Sequence, residues 1–151
     1  MIRLGHAIAG VRTRGKIAGM TERTKDGYDA VAADYAEAIA GELPGKPVDR
    51  AFLNLFAELA GPGIVADVGC GPGHVTSYLH DAGVQAIGID LSAGMVTEAQ
   101  KRYPGVSFST GSLLDLPAGA GLWAGAVCAY SIIHLSNDER GAAFSELHRV
   151  L

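Results

Sequence analysis

The sequence is poor in several of the features that mark specialised chains. Its 151 residues hold two cysteines and one tryptophan, and only 19% of side chains are charged. Cys70 and Cys128 lie 58 positions apart and neither belongs to a CxxC pair, which excludes a disulfide scaffold and fits a reducing, cytoplasmic compartment. Cys70 and His74 stand four apart, but no second pair completes a tetrahedral site, so no metal is expected. The longest later apolar stretch, Leu122 to Leu135, is too short and too polar for a membrane span. A net charge of −4 argues against a broad nucleic-acid face and leaves small molecules as the expected partner class. What is plentiful is apolar material, 48% of residues, enough for one core. The 21 glycines neither recur every third residue nor gather in a linker, so they punctuate secondary structure.

Charge is unevenly spread. Met1 to Lys25 carries six basic residues against Glu22 alone, whereas the rest of the chain carries six basic against fifteen acidic. Arg12, Arg14 and Lys16 interrupt any apolar core of a secretory signal, and residues 1–24 read as a basic, disordered leader or upstream extension. Residues 25–61 form a helical cap: Tyr28, Val31, Tyr35 and Ile39 recur at helical spacing, as do Val48, Phe52, Leu55 and Leu59, with a Gly/Pro loop at 41–47 between them. Residues 62–151 change pattern. Four short apolar runs, at 64–68, 85–89, 106–110 and 126–130, read as strands buried on both faces. Helices are expected at 74–82, stopped by Gly83; at 92–102, capped by Ser92; and from a Ser136/Glu139 capping box to the end. Residues 111–123 show no helix. This alternation predicts an α/β fold with a parallel sheet and right-handed crossovers.

Ligands of such sheets bind at the carboxyl ends of the strands. After the first strand comes Asp67-Val68-Gly69-Cys70-Gly71-Pro72-Gly73-His74, a loop whose glycines let a ligand approach the main chain. It is not a dinucleotide fingerprint, since the third glycine of G-x-G-x-x-G would fall at His74, and it has no P-loop lysine. Asp67, one residue before the first strand-end pair of Val68 and Gly69, suits a cationic or zwitterionic ligand better than a phosphate. Asp90, ending the second strand, can accept from two vicinal ribose hydroxyls, a geometry shared by NAD and other adenosine cofactors.

These residues carry a resemblance. VADVGCGPGHVT followed by GIDLSAGMV resembles motif I and the adjoining segment of class I S-adenosylmethionine-dependent methyltransferases. The similarity extends from the helical opening at Tyr28–Tyr35 through Gly111–Pro117 and Ala129–Leu135 to Leu147–Leu151. It implies a Rossmann-like parallel sheet with helices on both faces and S-adenosylmethionine as cofactor. By that resemblance Asp67, Gly69, Cys70, Gly71 and Gly73 hold the methionine end and Asp90 the ribose. Leu91 and Met95 pack on the adenine face, and Ser112 and Leu113 line its edge. Tyr28 and Tyr35 cover the cofactor, and Tyr130 joins the set from the end of the fourth strand. Ser112 departs from the family, many members of which have an acid there.

Blander readings stand beside these. Tyr28 and Tyr35 have the spacing of core aromatics, Trp123 that of a packing residue, and His134 that of a capping or packing histidine. Cys70 has no base at a recognisable spacing to make it a nucleophile. The family sheet has seven strands and only four are visible here, so the chain reads as a fragment, or as one that self-associates through the open edge of its fourth strand. The function implied is methyl transfer to a small-molecule acceptor. A catalytically silent cofactor-binding module and an NAD(P)-binding oxidoreductase domain are the alternatives, the latter disfavoured by His74.

Overall fold

The computed structural model describes residues 14–151, with side chains from Glu22 onward. Helix α1 (Arg14–Ile39) leads through a short 3-10 turn (Leu43–Gly45) into α2 (Pro47–Leu59). There follow β1 (Ile64–Val68), α3 (His74–Asp81), β2 (Gln85–Asp90), α4 (Ala93–Arg102), β3 (Ser107–Thr110), β4 (Trp123–Val127), a 3-10 turn (Ile132–His134) and α5 (Asn137–Val150). The four strands are parallel in the order β3-β2-β1-β4. The chain steps outward from β1 to β3, then returns to the other side of β1, so the strand order reverses between β1 and β4.

Local chemistry explains most boundaries. Ser92 caps α4 by accepting from the Met95 amide, and Ser136 with Glu139 closes a full capping box on α5. Gly83, in the left-handed region at φ 87°, follows the C-cap of α3. Pro47 opens α2, where its missing N–H costs nothing. Two expectations are corrected. The stretch 1–24 is not a leader throughout: α1 begins at Arg14, in a chain whose first proline is Pro44, while residues 1–13 lie outside the described residues. The fourth strand runs from Trp123 to Val127 instead of 126–130. The run Leu122–Ala129 is apolar throughout, so its pattern carries no boundary; the chain leaves the sheet before Tyr130, which adopts φ 59°.

The sheet is packed on both faces. Val65, Val75, Leu79, Ala86 and Val127 form a core under α2 and α3 with Leu43 and Leu53. Ala66, Val68, Ile89, Leu116 and Trp123 form the other with Val150 of α5, which gives Trp123 its expected packing role. The irregular link between β3 and β4 is held from α5: Glu146 accepts from the Leu116 amide, and Arg149 donates to the carbonyls of Leu116 and Ala118. Helix α1 crosses α4 at close range through Ala32, 7% exposed, and Gly94, where a Cβ would lie 3.0 Å from that of Ala32.

Candidate functional site

A cleft of about 1030 Å³ opens over the carboxyl ends of all four strands, where the reversal of strand order places a crevice. Its floor is the loop after β1 and the ends of β2 and β3; α1, α2 and the segment after β4 form its roof and far wall. Tyr28, Tyr35, Asp67, Gly69, Cys70, Gly71, Asp90, Leu91, Met95, Ser112, Leu113 and Tyr130 all line it. Gly73 does not. It is the N-cap of α3, and a Cβ there would stand 2.7 Å from the Phe108 ring, so its lack of a side chain serves packing.

The floor is built by main-chain bonds. The Gly69 and Cys70 amides both donate to the Ile89 carbonyl, tying the β1 loop to the end of β2. Gly69 sits at φ 79°, and a Cβ would fall 2.2 Å from the Cβ of Ser131, whose hydroxyl donates to the Val68 carbonyl. Gly71, at φ 54°, has no atom within 4 Å of its missing Cβ. Its amide donates to Asp90 Oδ2 at 2.8 Å, and the Ser92 amide donates to Asp90 Oδ1 at 2.8 Å. Each carboxylate oxygen has a further lone pair with which to accept from a ligand hydroxyl.

Two acids lie at this floor, and burial pushes both up. Asp67 is 1% exposed; loss of solvent raises its carboxyl to about 7 although it accepts from the Thr76 hydroxyl at 2.7 Å. Asp90 is raised by the same cause, against the pull of its two amide donors. Among the described residues no lysine or arginine forms an ion pair with either. Acids held in this way favour a ligand that brings its own positive charge.

Side chains differ in how they meet the cleft. Cys70 is 3% exposed, packed with Val96, Ala99 and Phe108, and burial holds its thiol well above the ordinary value, in keeping with a thiol that is no nucleophile. Met95 is 1% exposed and forms part of the wall beside Leu91. Ser112 marks the β3 end, its hydroxyl accepting from the Leu114 amide. Tyr28 and Tyr35 meet edge to face at 5.6 Å, and the Tyr28 hydroxyl is 2.9 Å from His134 Nε2, so the roof aromatics are bonded across the cleft to the segment after β4. Tyr130 reaches the opposite wall: Lys46 Nζ stands 5.1 Å over its ring, and its hydroxyl donates to Asp49 at 3.5 Å.

Several contributors escape a reading of local spacing. Asp29 of α1 accepts from the Ser92 hydroxyl at 2.5 Å and the Gly94 amide at 2.9 Å, and Lys25 donates to it, which holds its carboxyl down at about 2. Glu42 lies 2.9 Å from Lys46 Nζ and 3.2 Å from His74 Nε2, joining the α1–α2 connection to the start of α3. The lysines four residues away, Lys25 and Lys46, are at helical spacing, but Ser92, Gly94 and His74 are distant along the chain, and nothing local signals those bonds.

Residues 65–151 match the methyltransferase domain family. An uncharacterised methyltransferase of Oceanobacillus iheyensis is 32% identical over 87 residues, 58% of this chain and 41% of that protein. The malonyl-[acyl-carrier protein] O-methyltransferase of Pseudescherichia vulneris is 30% identical over 127 residues, covering 81% of this chain and 49% of that protein. Among solved structures, magnesium protoporphyrin IX methyltransferase from Synechocystis PCC 6803 with bound SAH shares the fold, with a TM-score of 0.70 at 23% identity over 83% of this chain and 65% of that one. The chain thus spans less than half the length of the two curated relatives. With its parallel sheet, strand-end glycine loop and matched residues from Val65 to Leu151, the chain belongs to the methyltransferase domain family.

Proposed function

We propose that this chain is the S-adenosylmethionine-binding part of a methyltransferase acting on a small-molecule acceptor. The observation that carries the reading is Asp90: a carboxylate at the end of β2, fixed by the Gly71 and Ser92 amides and open to the cleft beside the strand-order reversal. The residues fit the cofactor. Asp90 would accept from the ribose hydroxyls; Leu91 and Met95 would flank the adenine, with Ser112 and Leu113 at its edge. The open main chain at Gly69 and Gly71 would admit the methionine end. Asp67, sealed beneath the loop, would act through its charge and through Thr76, not by direct contact.

The cofactor, when bound, supplies an activated methyl group on a sulfonium. The chain has to align the acceptor with that methyl and keep water away. Tyr28 and Tyr35 close the roof, and the segment Tyr130–His134 faces the side from which an acceptor can enter. A base is required only for an acceptor that is protonated at rest; His134, bonded to Tyr28, is a titratable group of that segment.

The test is calorimetric titration with S-adenosylhomocysteine, with NAD as control and Asp90→Ala alongside. Micromolar binding of S-adenosylhomocysteine that the variant loses is the expected result, and binding of NAD alone would overturn the reading. Methyl transfer by a full-length relative but not by this chain would favour a silent binding module. The free thiols of Cys70 and Cys128 support a cytoplasmic setting. Among the described residues no helix is long and apolar enough to cross a membrane. The outer edge of β4, unpaired in the four-stranded sheet, supports self-association, which sedimentation velocity would detect as a concentration-dependent species.

A further inference from the structure

The cleft is larger than one ligand needs. Its volume of about 1030 Å³ stands at the top of the roughly 300 to 1,000 Å³ range of single-ligand pockets, which leaves room for a second molecule beside the cofactor. The strand order puts the segment after β4 at the opposite end of the cleft from β3. There the lining is apolar and open to solvent: Val48 and Phe52 of α2 are 78% and 64% exposed, and Tyr130 and Ile133 after β4 are 65% each. Large apolar side chains gathered on one concave wall mark a surface that an apolar molecule covers. Leu55 and Leu59 of α2 are exposed as well, but they stand outside the cleft.

The two elements of this wall are tied together. Phe56 of α2 packs on β4, where a Cβ at Gly125 would lie 2.9 Å from its ring. The Tyr130 hydroxyl donates to Asp49 at 3.5 Å, and Lys46 Nζ stands 5.1 Å over the ring, so the ring is held at the first turn of α2, beside Val48 and one turn from Phe52. Among the described residues Tyr130 is also the one non-glycine with a positive φ, 59°, a conformation that an aromatic residue keeps only where its surroundings fix it.

Charge narrows the kind of molecule. Among the described residues the lining holds two lysines and no arginine. Lys25 is bonded to Asp29 at 2.8 Å, and Lys46 stands 2.9 Å from Glu42 and 4.0 Å from Asp49. Glu42, Asp49, Asp67 and Asp90 line the same cleft. With both lysines already beside acids, and acids in the majority, an incoming carboxylate or phosphate would meet repulsion and no free cation.

Resting on the cofactor reading above, we propose that the β4 end of the cleft takes the apolar body of an uncharged methyl acceptor, against the wall of Val48, Phe52, Tyr130 and Ile133, and that Tyr130 and Phe52 determine this specificity. The fixed Tyr130 ring offers a face for packing without an entropy cost on binding.

The probe is N-phenyl-1-naphthylamine, an uncharged aromatic whose fluorescence rises in apolar surroundings. It is titrated into the intact chain with and without saturating S-adenosylhomocysteine, and into Phe52→Ser, Tyr130→Asn and, as a control outside the cleft, Leu59→Ser. Asn tolerates a left-handed backbone, so Tyr130→Asn removes the ring without new strain, and all three positions are exposed, so the variants should melt close to wild type. The expected result is a probe that binds together with S-adenosylhomocysteine, weakened roughly tenfold by Phe52→Ser and by Tyr130→Asn and changed less than about twofold by Leu59→Ser. Tricarballylate, a small tricarboxylate, should neither displace the probe nor give heat in calorimetry. Displacement of the probe by S-adenosylhomocysteine, unchanged affinity in Phe52→Ser and Tyr130→Asn, an equal loss in Leu59→Ser, or tight binding of tricarballylate would each overturn the assignment. If S-adenosylhomocysteine binds and the probe does not, the cofactor reading stands and this one falls. If the probe binds and S-adenosylhomocysteine does not, the acceptor assignment falls with the cofactor reading.

Discussion

The floor and the roof of the cleft are built on different principles. The floor is a continuation of the core: β1 and β2 are buried on both sides, and the loop after β1 is tied to β2 by amides that donate to the Ile89 carbonyl. The roof is held by less: α1 docks on α4 through the small residues Ala32 and Gly94 and through Asp29, which accepts from Ser92 and Gly94; Tyr28 is bonded to His134 and Glu42 to His74, and Leu43 and Leu53 anchor the α2 side in the core. A packed floor preserves geometry, because moving it disturbs close-packed side chains. Helix α1, docked through small side chains and hydrogen bonds, has less packing to lose on opening than the floor, and a cleft that admits and releases a ligand needs one such wall.

The comparison can be broken most severely at Gly69. Gly69→Ala combines a left-handed backbone with a Cβ placed against Ser131, and is expected to cost about 4 kcal/mol, read as a lowered denaturation midpoint. Asp67 offers the next largest effect. Its folded-state pKa of about 7 lies above the unfolded value of 3.8, so the native state binds more protons between those limits and stability declines as pH rises from about 4 to about 7. Asp67→Asn should flatten that decline and be the more stable protein at pH 8, by about 3 kcal/mol in urea titrations. The same group bears on function. A cationic ligand favours its ionised form, so binding of S-adenosylmethionine should strengthen relative to S-adenosylhomocysteine as pH rises from 6 to 8.

The roof should give smaller and more local effects. Asp29→Ala removes acceptors from Ser92 and Gly94 and should weaken the docking of α1 by about 1 to 2 kcal/mol. Hydrogen exchange should then quicken along α1 while the amides of β1 keep their protection; equal acceleration in both would show that roof and floor open together. Tyr28→Phe is the finest probe. It keeps the edge contact with Tyr35, loses the bond to His134, and should change the exchange of α1 by only about 0.5 to 1 kcal/mol.

The same contrast governs what could be read in advance. Gly69, Gly71 and Asp90 were legible because the chemistry they need is local: a turn, a close approach, a carboxylate at a strand end. Ser92 and the Ser136/Glu139 box were legible for the same reason, their partners lying three residues away. Gly73 belongs to the same run of glycines and shares their positive φ, at 85°, yet it lies outside the cleft against Phe108, and spacing could not separate it from the others. The start of β4 was misplaced by three residues because an unbroken apolar run has no period to locate it. Asp29 meets Ser92 and Gly94 across 63 and 65 residues and Glu42 meets His74 across 32, beyond the reach of any helical or strand repeat.

By itself the sequence determined the alternation of strands and helices, the glycine loop and the acid that follows it, because periodicity, capping and turn chemistry act over a few residues. Tertiary structure alone decided the order of the strands, and with it the crevice between β1 and β4. It also decided which aromatics roof that crevice and which glycines of the loop face it. Those outcomes depend on distances between elements that have no neighbours in the chain, and only packing brings them together.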